Sequence, residues 1–473
     1  MPLKKILLKA GVNRENTRYT SEGGWYECNN VRFRQGTPEK IGGWTRLNTV
    51  KFLGVARSLW NWITLGGQNL IGVGTNIKFY IENGGTFNDI TPLRSTTSAG
   101  EVTFSASVTT LSAAITSTTA TTIPITDATG FPLVGLILID SEVISYTGIT
   151  DNTLTGCSRG AAKLVNDVAT NTTAATHSNS AGVTCFTILV SDANNGATDG
   201  DFVTFTDATP MGGNFTAAVL NLEYEILTRE GQDKYTILAR SFSNTTIAFS
   251  NVASTSADTG NGGSSTVGAY QLNVGVATAS EVSDWGAGGW GAGLFGAGVT
   301  SQEILRIWSQ QNFGEDLIFG PRGGRIYYWA ATDDLRTRAV ELSGSNVPVI
   351  QNLILVSDIN RFVFCFGANP LGSAARDPML IRWSDQENAE NWTPDATNQA
   401  GSLRLSRGTE IVAASQARQE VLVWTDSSLY SLQYVGAESG VWAATLVGEQ
   451  TSIASQNAVA YANGVAYWMG KDK

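Results

Sequence analysis

The feature that most limits the fold is a hairpin grammar that recurs along the chain: an apolar run, a tight polar turn, then an aromatic run. It appears as NLIGVGTNIKFYI (69–81), DLIFGPRGGRIYYW (316–329), RFVFCFGANP leading to MLIRW (361–383), EVLVWTDSSLYSLQY (420–434) and GVAYWMG (464–470). Apolar alternation broken by Gly, Asn and Asp turns, such as Thr425–Asp426, reads as antiparallel hairpins. From position 361 onward the segments recur about 45 to 60 residues apart, near the length of one four-stranded propeller blade. A β-sandwich also makes hairpins, at a tighter spacing of about 8–12 residues per strand. The spacing therefore predicts an all-β chain with a β-propeller core. Composition agrees: 51 glycines, 13 tryptophans and only 15% charged residues are poor material for long amphipathic helices.

The gap between the first hairpin and the second is far too long for one blade. It holds a Thr/Ser/Ala/Gly-rich stretch (94–120), two β-rich units beginning at TTIPITDATGF (121) and CFTILVSDANNG (185), and the linker DTGNGGSSTVG (258–268). The predicted division is 1–93 for N-terminal strands and the first blade, and 94–268 for inserted small β-sandwich or β-barrel domains (about 121–180 and 181–257). Residues 269–473 then supply the remaining blades, the last of them incomplete.

The formal net charge of −10 argues against a protein that grips nucleic acid, which needs clustered Lys and Arg, but not against one that lets DNA slide past. The start MPLKKILLKAG is too short in its apolar run for a secretory signal, and no segment approaches 18 apolar residues. A soluble chain made in the cytoplasm, with no membrane anchor, is expected. Cys28, Cys157, Cys185 and Cys365 lack metal spacing, and His177 is the sole histidine, so neither a metal nor a cofactor is expected. His177 sits in NTTAATHSNSAG, a polar, loop-like stretch that offers nothing to bury or orient an imidazole. WSDQENAENW (383–392) holds Asp385, Glu387 and Glu390 between two tryptophans that read as blade-edge anchors. A glycosidase would need two or three such carboxylates converging in a pocket, and the stretch lacks the Ser-x-Asp-x-Gly-x-Thr-Trp pattern of sialidase-like blades. No catalytic residue is expected.

WGAGGWGAGLFGAG (285–298) contains G-x-G-x-x-G twice. A dinucleotide site needs one copy, between a buried strand and a helix N-terminus. The run is more simply three five-residue units carrying Trp285, Trp290 and Phe295, which read as the aromatic anchors of a packing or interface loop.

LLKAGVNRENTRYTSEGGWYECNNVRFRQGTPEKIGGW (7–44) resembles the opening of the tail nozzle (tail tubular protein B-like) proteins of short-tailed bacteriophages. RSLWNWITLGGQNLIGVGTNIKFYIENGGTFNDITPL (57–93) is similar to the family's first blade, and IRWSDQENAENWTPDATNQAGSLRL and LVWTDSSLYSLQYVG to later ones. The Trp-Gly-Ala-Gly run resembles an element that precedes the second blade there. The matches cover about half the chain, at its two ends. The resemblance implies a non-enzymatic structural subunit of the virion, a homohexameric ring below the portal and adaptor rings. Such a ring holds fibre or needle proteins and conducts genomic DNA on ejection. Its channel wall is expected to be neutral or acidic, with Asp385, Glu387, Glu390 and, in YVGAESG (434–440), Glu438 as candidate lining residues. The alternative is an adhesion protein, a fibre or spike whose aromatic β surface binds host glycan.

Overall fold

The computed structural model describes residues 9–275 and 306–471, apart from positions 16, 18, 21, 22, 44, 47–49, 194 and 358. The aromatic anchors Trp285, Trp290 and Phe295 therefore lie outside the described residues. The chain divides into two units, Met1–Lys51 and Phe52–Lys473. In the first, Val31–Arg34 pairs antiparallel with Thr37–Lys40. Gln35 (φ 49°) and Gly36 (φ 81°) close the hairpin, both with the positive φ that a two-residue type I′ turn demands. Trp25 meets Phe33 edge-on at 6.0 Å.

The second unit is all-β and antiparallel, with a single turn of α-helix, Ala217–Leu220, among the described residues. Four sheets are four-stranded meanders in chain order. The first runs Ala56–Ile63, Asn69–Thr75, Phe79–Asn83 and Thr86–Asp89. The second runs Trp308–Phe313, Asp316–Pro321, Tyr327–Trp329 and Val340–Glu341. The third is Leu353–Val356, Val363–Phe366, Leu380–Trp383 and Gly401–Arg404, and the fourth Ile411–Gln416, Glu420–Thr425, Ser428–Gly436 and Val441–Glu449. A two-stranded sheet, Val459–Ala462 with Val465–Trp468, follows. The first strand of each sheet packs against the first strand of the next, in order, from the first sheet through to the fifth.

Each successive pair of sheets buries its own cluster. Trp62, Leu70 and Phe79 of the first sheet meet Trp308, Phe319 and Trp329 of the second. Leu353, Leu355, Phe364 and Phe366 of the third face the fourth, while the alternate residues Ile354, Val356, Val363 and Cys365 face the second. A strand covered on both faces needs apolar residues at every position. That is why LILV, VFCF and most of LIRW read as unbroken apolar runs rather than as alternation.

In the first and fourth sheets the polar turns between second and third strands are built alike. Thr75 Oγ1 accepts from Lys78 N at 2.8 Å, and Thr425 Oγ1 from Ser428 N at 2.8 Å. The next side chain ties down the chain entering the sheet: Asn76 Oδ1 accepts from Val55 N at 2.7 Å, and Asp426 Oδ1 from Thr409 N at 2.8 Å. Gly408 (φ +106°) lies so close that a Cβ there would sit 2.6 Å from Thr425 Oγ1. Gly408→Ala is expected to cost about 1–3 kcal/mol, read as a lower urea midpoint at unchanged slope. No shift in the midpoint would show the turn to be free to relax.

Residues 97–266 leave and rejoin the sheets through paired strands, Leu93–Thr96 against Val267–Gln271. Between them stand two cores. One gathers residues 111–185, including Ile137, Ile139, Tyr146 and Val183. The other joins Val102 and Phe104 to residues 188–270. Strand Gly182–Cys185 pairs with Gly135–Ile139, and Thr103–Ser105 with Thr187–Ser191. An ionic junction ties this region to the sheets. Lys78, 2% exposed, reaches Asp89 at 2.5 Å and Glu223 at 2.7 Å, and Arg338 meets Glu223 at 3.1 Å.

Candidate functional site

The acidic segment 384–398 links the third and fourth strands of the third sheet, and 437–440 makes the same link in the fourth. Local chemistry shapes the first loop. Trp383 and Trp392 are both buried; their indole N–H groups donate to Gln399 O at 2.8 Å and Ala389 O at 2.7 Å. They anchor a turn in which Asp385 Oδ1 accepts from the backbone N–H of Gln386 and of Gln399, each at 2.8 Å. Asp385 is thus half-buried and spent on holding the loop. Glu387 (φ 57°) and Glu390 are exposed. In the second loop Gly436 and Gly440 flank a 3₁₀ turn, and Glu438 is exposed.

The two loops come together at one end of adjacent sheets. Tyr434, two residues before Gly436, donates its hydroxyl proton to Gln399 Oε1 at 2.8 Å, and Gln399 is the residue whose N–H caps Asp385. Residues 384–400 carry four carboxylates and neither Lys nor Arg, and 434–440 carry Glu438 with no basic residue. Both loops lie two strands away from the seam of first strands. The arrangement places Glu387, Glu390 and Glu438 as exposed carboxylates on two neighbouring turns. Exposed Arg361, whose carbonyl accepts from Glu387 N at 3.0 Å, and exposed Arg418, which shares a cavity wall with Tyr434, stand beside it.

His177 departs from expectation. It is 4% exposed, its Nδ1 is 2.7 Å from Asp140 Oδ2, and its Nε2 is 2.8 Å from Glu142 Oε2. Its backbone pairs with that of Ile115 through two bonds of 2.9 Å, and the imidazole is both buried and oriented. With a carboxylate within hydrogen-bond distance of each ring nitrogen, neither nitrogen is free to act as a base.

Glu142 is the centre of this group. It is fully buried and accepts from Arg159 Nε at 2.8 Å and Nη2 at 2.6 Å, from Gly160 N at 3.0 Å and from Ala175 N at 2.9 Å. Burial alone would raise its pKa, but the bonds from Arg159, Ala175, His177 and Gly160 outweigh it and bring the carboxyl down to about 2. The signal in the sequence was a lone Glu inside the apolar hairpin LILIDSEVISY, which requires a cationic partner somewhere. The four cysteines are free thiols, three of them buried, and no cluster of metal-binding side chains occurs among the described residues.

No family model and no curated protein matches the chain. Among solved structures it is similar to a phage phi92 endosialidase at 10% identity and TM-score 0.21, over 86% of this chain and 60% of that one. It is also similar to the extracellular domain of a one component system from B. thetaiotaomicron at 10% identity and TM-score 0.21, over 92% and 66%. The chain spans less than two thirds of the length of either, and likenesses this weak carry no argument about its activity.

Proposed function

We propose that the chain is a structural subunit of a bacteriophage tail nozzle, a β-propeller with inserted small β-domains that assembles into a homohexameric ring and forms the lower DNA-ejection channel. The observation that supports this most is the succession of antiparallel meanders joined through their first strands. That is how propeller blades stack, and the order matches the blades to which the family resemblance points. In this reading the subunit contacts copies of itself, adaptor and portal-side rings above and fibre or needle proteins below. It acts in the virion of a short-tailed phage after synthesis in the host cytoplasm.

The acidic loops supply the second support. A conduit must let the duplex pass, and a basic wall would hold it through counterion release. Carboxylates at Glu387, Glu390 and Glu438 repel phosphate within the screening length of about 10 Å at 0.1 M salt and keep the duplex off the wall. The test is electron cryomicroscopy of the purified full chain, with the nozzle reading expecting closed rings with a bore wide enough for duplex DNA. Monomers at every concentration tried, or rings lined by arginine and lysine, would overturn it.

A further inference from the structure

Arg382 stands out in the buried strand LIRW of the third sheet. It is 3% exposed and, paired in register with Cys365, lies on the face turned toward the second sheet. A guanidinium keeps its proton, so burying one normally requires a carboxylate. Arg382 has none among the described residues. Its Nη1 donates to Asn369 O at 3.2 Å, and its Nη2 to Asn346 O at 2.7 Å and Trp392 O at 3.3 Å, with the Trp392 ring 6.0 Å away. These carbonyl oxygens take up three of its five N–H groups, and none of them compensates its charge.

The same side chain forms part of the wall of a cavity of about 410 Å³, whose lining also includes Arg325, Glu341, Ser343, Asn369 and Ser373. Arg325, about half-exposed, is bonded to Glu341, so those two charges cancel and Arg382 leaves the cavity with one net positive charge. In a chain of net charge −10, that is a local inversion of sign. The volume falls within the range of small-molecule sites. We propose that this cavity binds a small ligand through an oxyanion, a carboxylate or a phosphate, with Arg382 as its counter-charge and Arg325 at the rim. The proposal is independent of the nozzle reading.

The test is calorimetric titration of the full chain with inorganic phosphate and, separately, with glucuronate, up to about 10 mM, alongside thermal melts at the same concentrations. Saturable binding of either anion is expected, and which of them binds names the source of the oxyanion. Arg325→Gln, a partly exposed change that spares the core, is expected to weaken binding about tenfold. Arg382→Lys keeps the charge but loses the planar fork, and is expected to weaken it further. No binding of either anion, or affinity unchanged in folded Arg325→Gln, would reduce Arg382 to a clamp on three carbonyls and overturn the proposal.

Discussion

Replacing Glu142 by glutamine is expected to destabilise the 111–185 core by about 3–5 kcal/mol, because it leaves the Arg159 guanidinium buried without its counter-charge and disturbs the bond to His177. The shape of the side chain is kept, so the loss isolates charge and bonding from packing. The same carboxylate sets a pH dependence whose sign follows from its depressed pKa. In the unfolded chain Glu142 titrates near its ordinary value of 4.5, and in the fold at about 2. Its contribution is therefore complete above pH 4.5 and is lost as the pH falls toward 2. A shift of that size corresponds to about 3 kcal/mol.

Residues 94–268 contain no tryptophan, so tryptophan fluorescence does not report on this core. Hydrogen exchange at Gly135–Tyr146 is the suitable probe. Asp140→Asn is the control, since that side chain is 64% exposed and its removal is expected to cost less than about 1 kcal/mol. Equal losses from the two substitutions, or none from Glu142→Gln, would show that the cluster is not held by its central charge.

If the chain conducts DNA as proposed, the triple variant Glu387→Lys/Glu390→Lys/Glu438→Lys is expected to retain duplex DNA that the parent releases. Each change raises the net charge by two, so it goes from −10 to −4, with three lysines in place of three carboxylates on exposed turns. If each lysine meets one phosphate, the salt slope of binding steepens by about three, and affinity falls roughly 40-fold between 50 and 200 mM salt. Asp385 is left in place because its carboxylate holds the loop. Duplex binding by filter retention across a salt series measures the effect. A variant that binds no better than the parent would remove these loops from the DNA path, and tight binding by the parent at physiological salt would contradict the role given to its acidity.

Much of the β architecture was legible because its cues are local. Turn residues such as Thr425–Asp426 impose their geometry over four positions through side-chain-to-backbone bonds, and apolar runs of strand length announce burial. The buried tryptophans of WSDQENAENW were legible for the same reason. What went unread were the partners of buried polar groups. The stretch around His177 carries no apolar period, so nothing local distinguishes it from a solvated loop. The charge balance of Arg382 likewise depends on loops at 346, 369 and 392 that share no pattern with its own strand.

The sequence by itself determined which segments are strands, where they turn and that they pair as antiparallel hairpins, since side-chain period and turn chemistry act within a few residues. Only the tertiary structure decided that the first strands of five sheets pack in series and that 93–96 pairs with 267–271 across the whole insertion. It alone decided that Glu142 gathers Arg159 and His177, and that two acidic loops from different sheets meet through Tyr434 and Gln399. Such contacts join residues far apart in the chain, and they are favoured by the need to pair buried charges and bond buried polar groups once the sheets have stacked. That need is a property of the packed interior, and no window of sequence contains it.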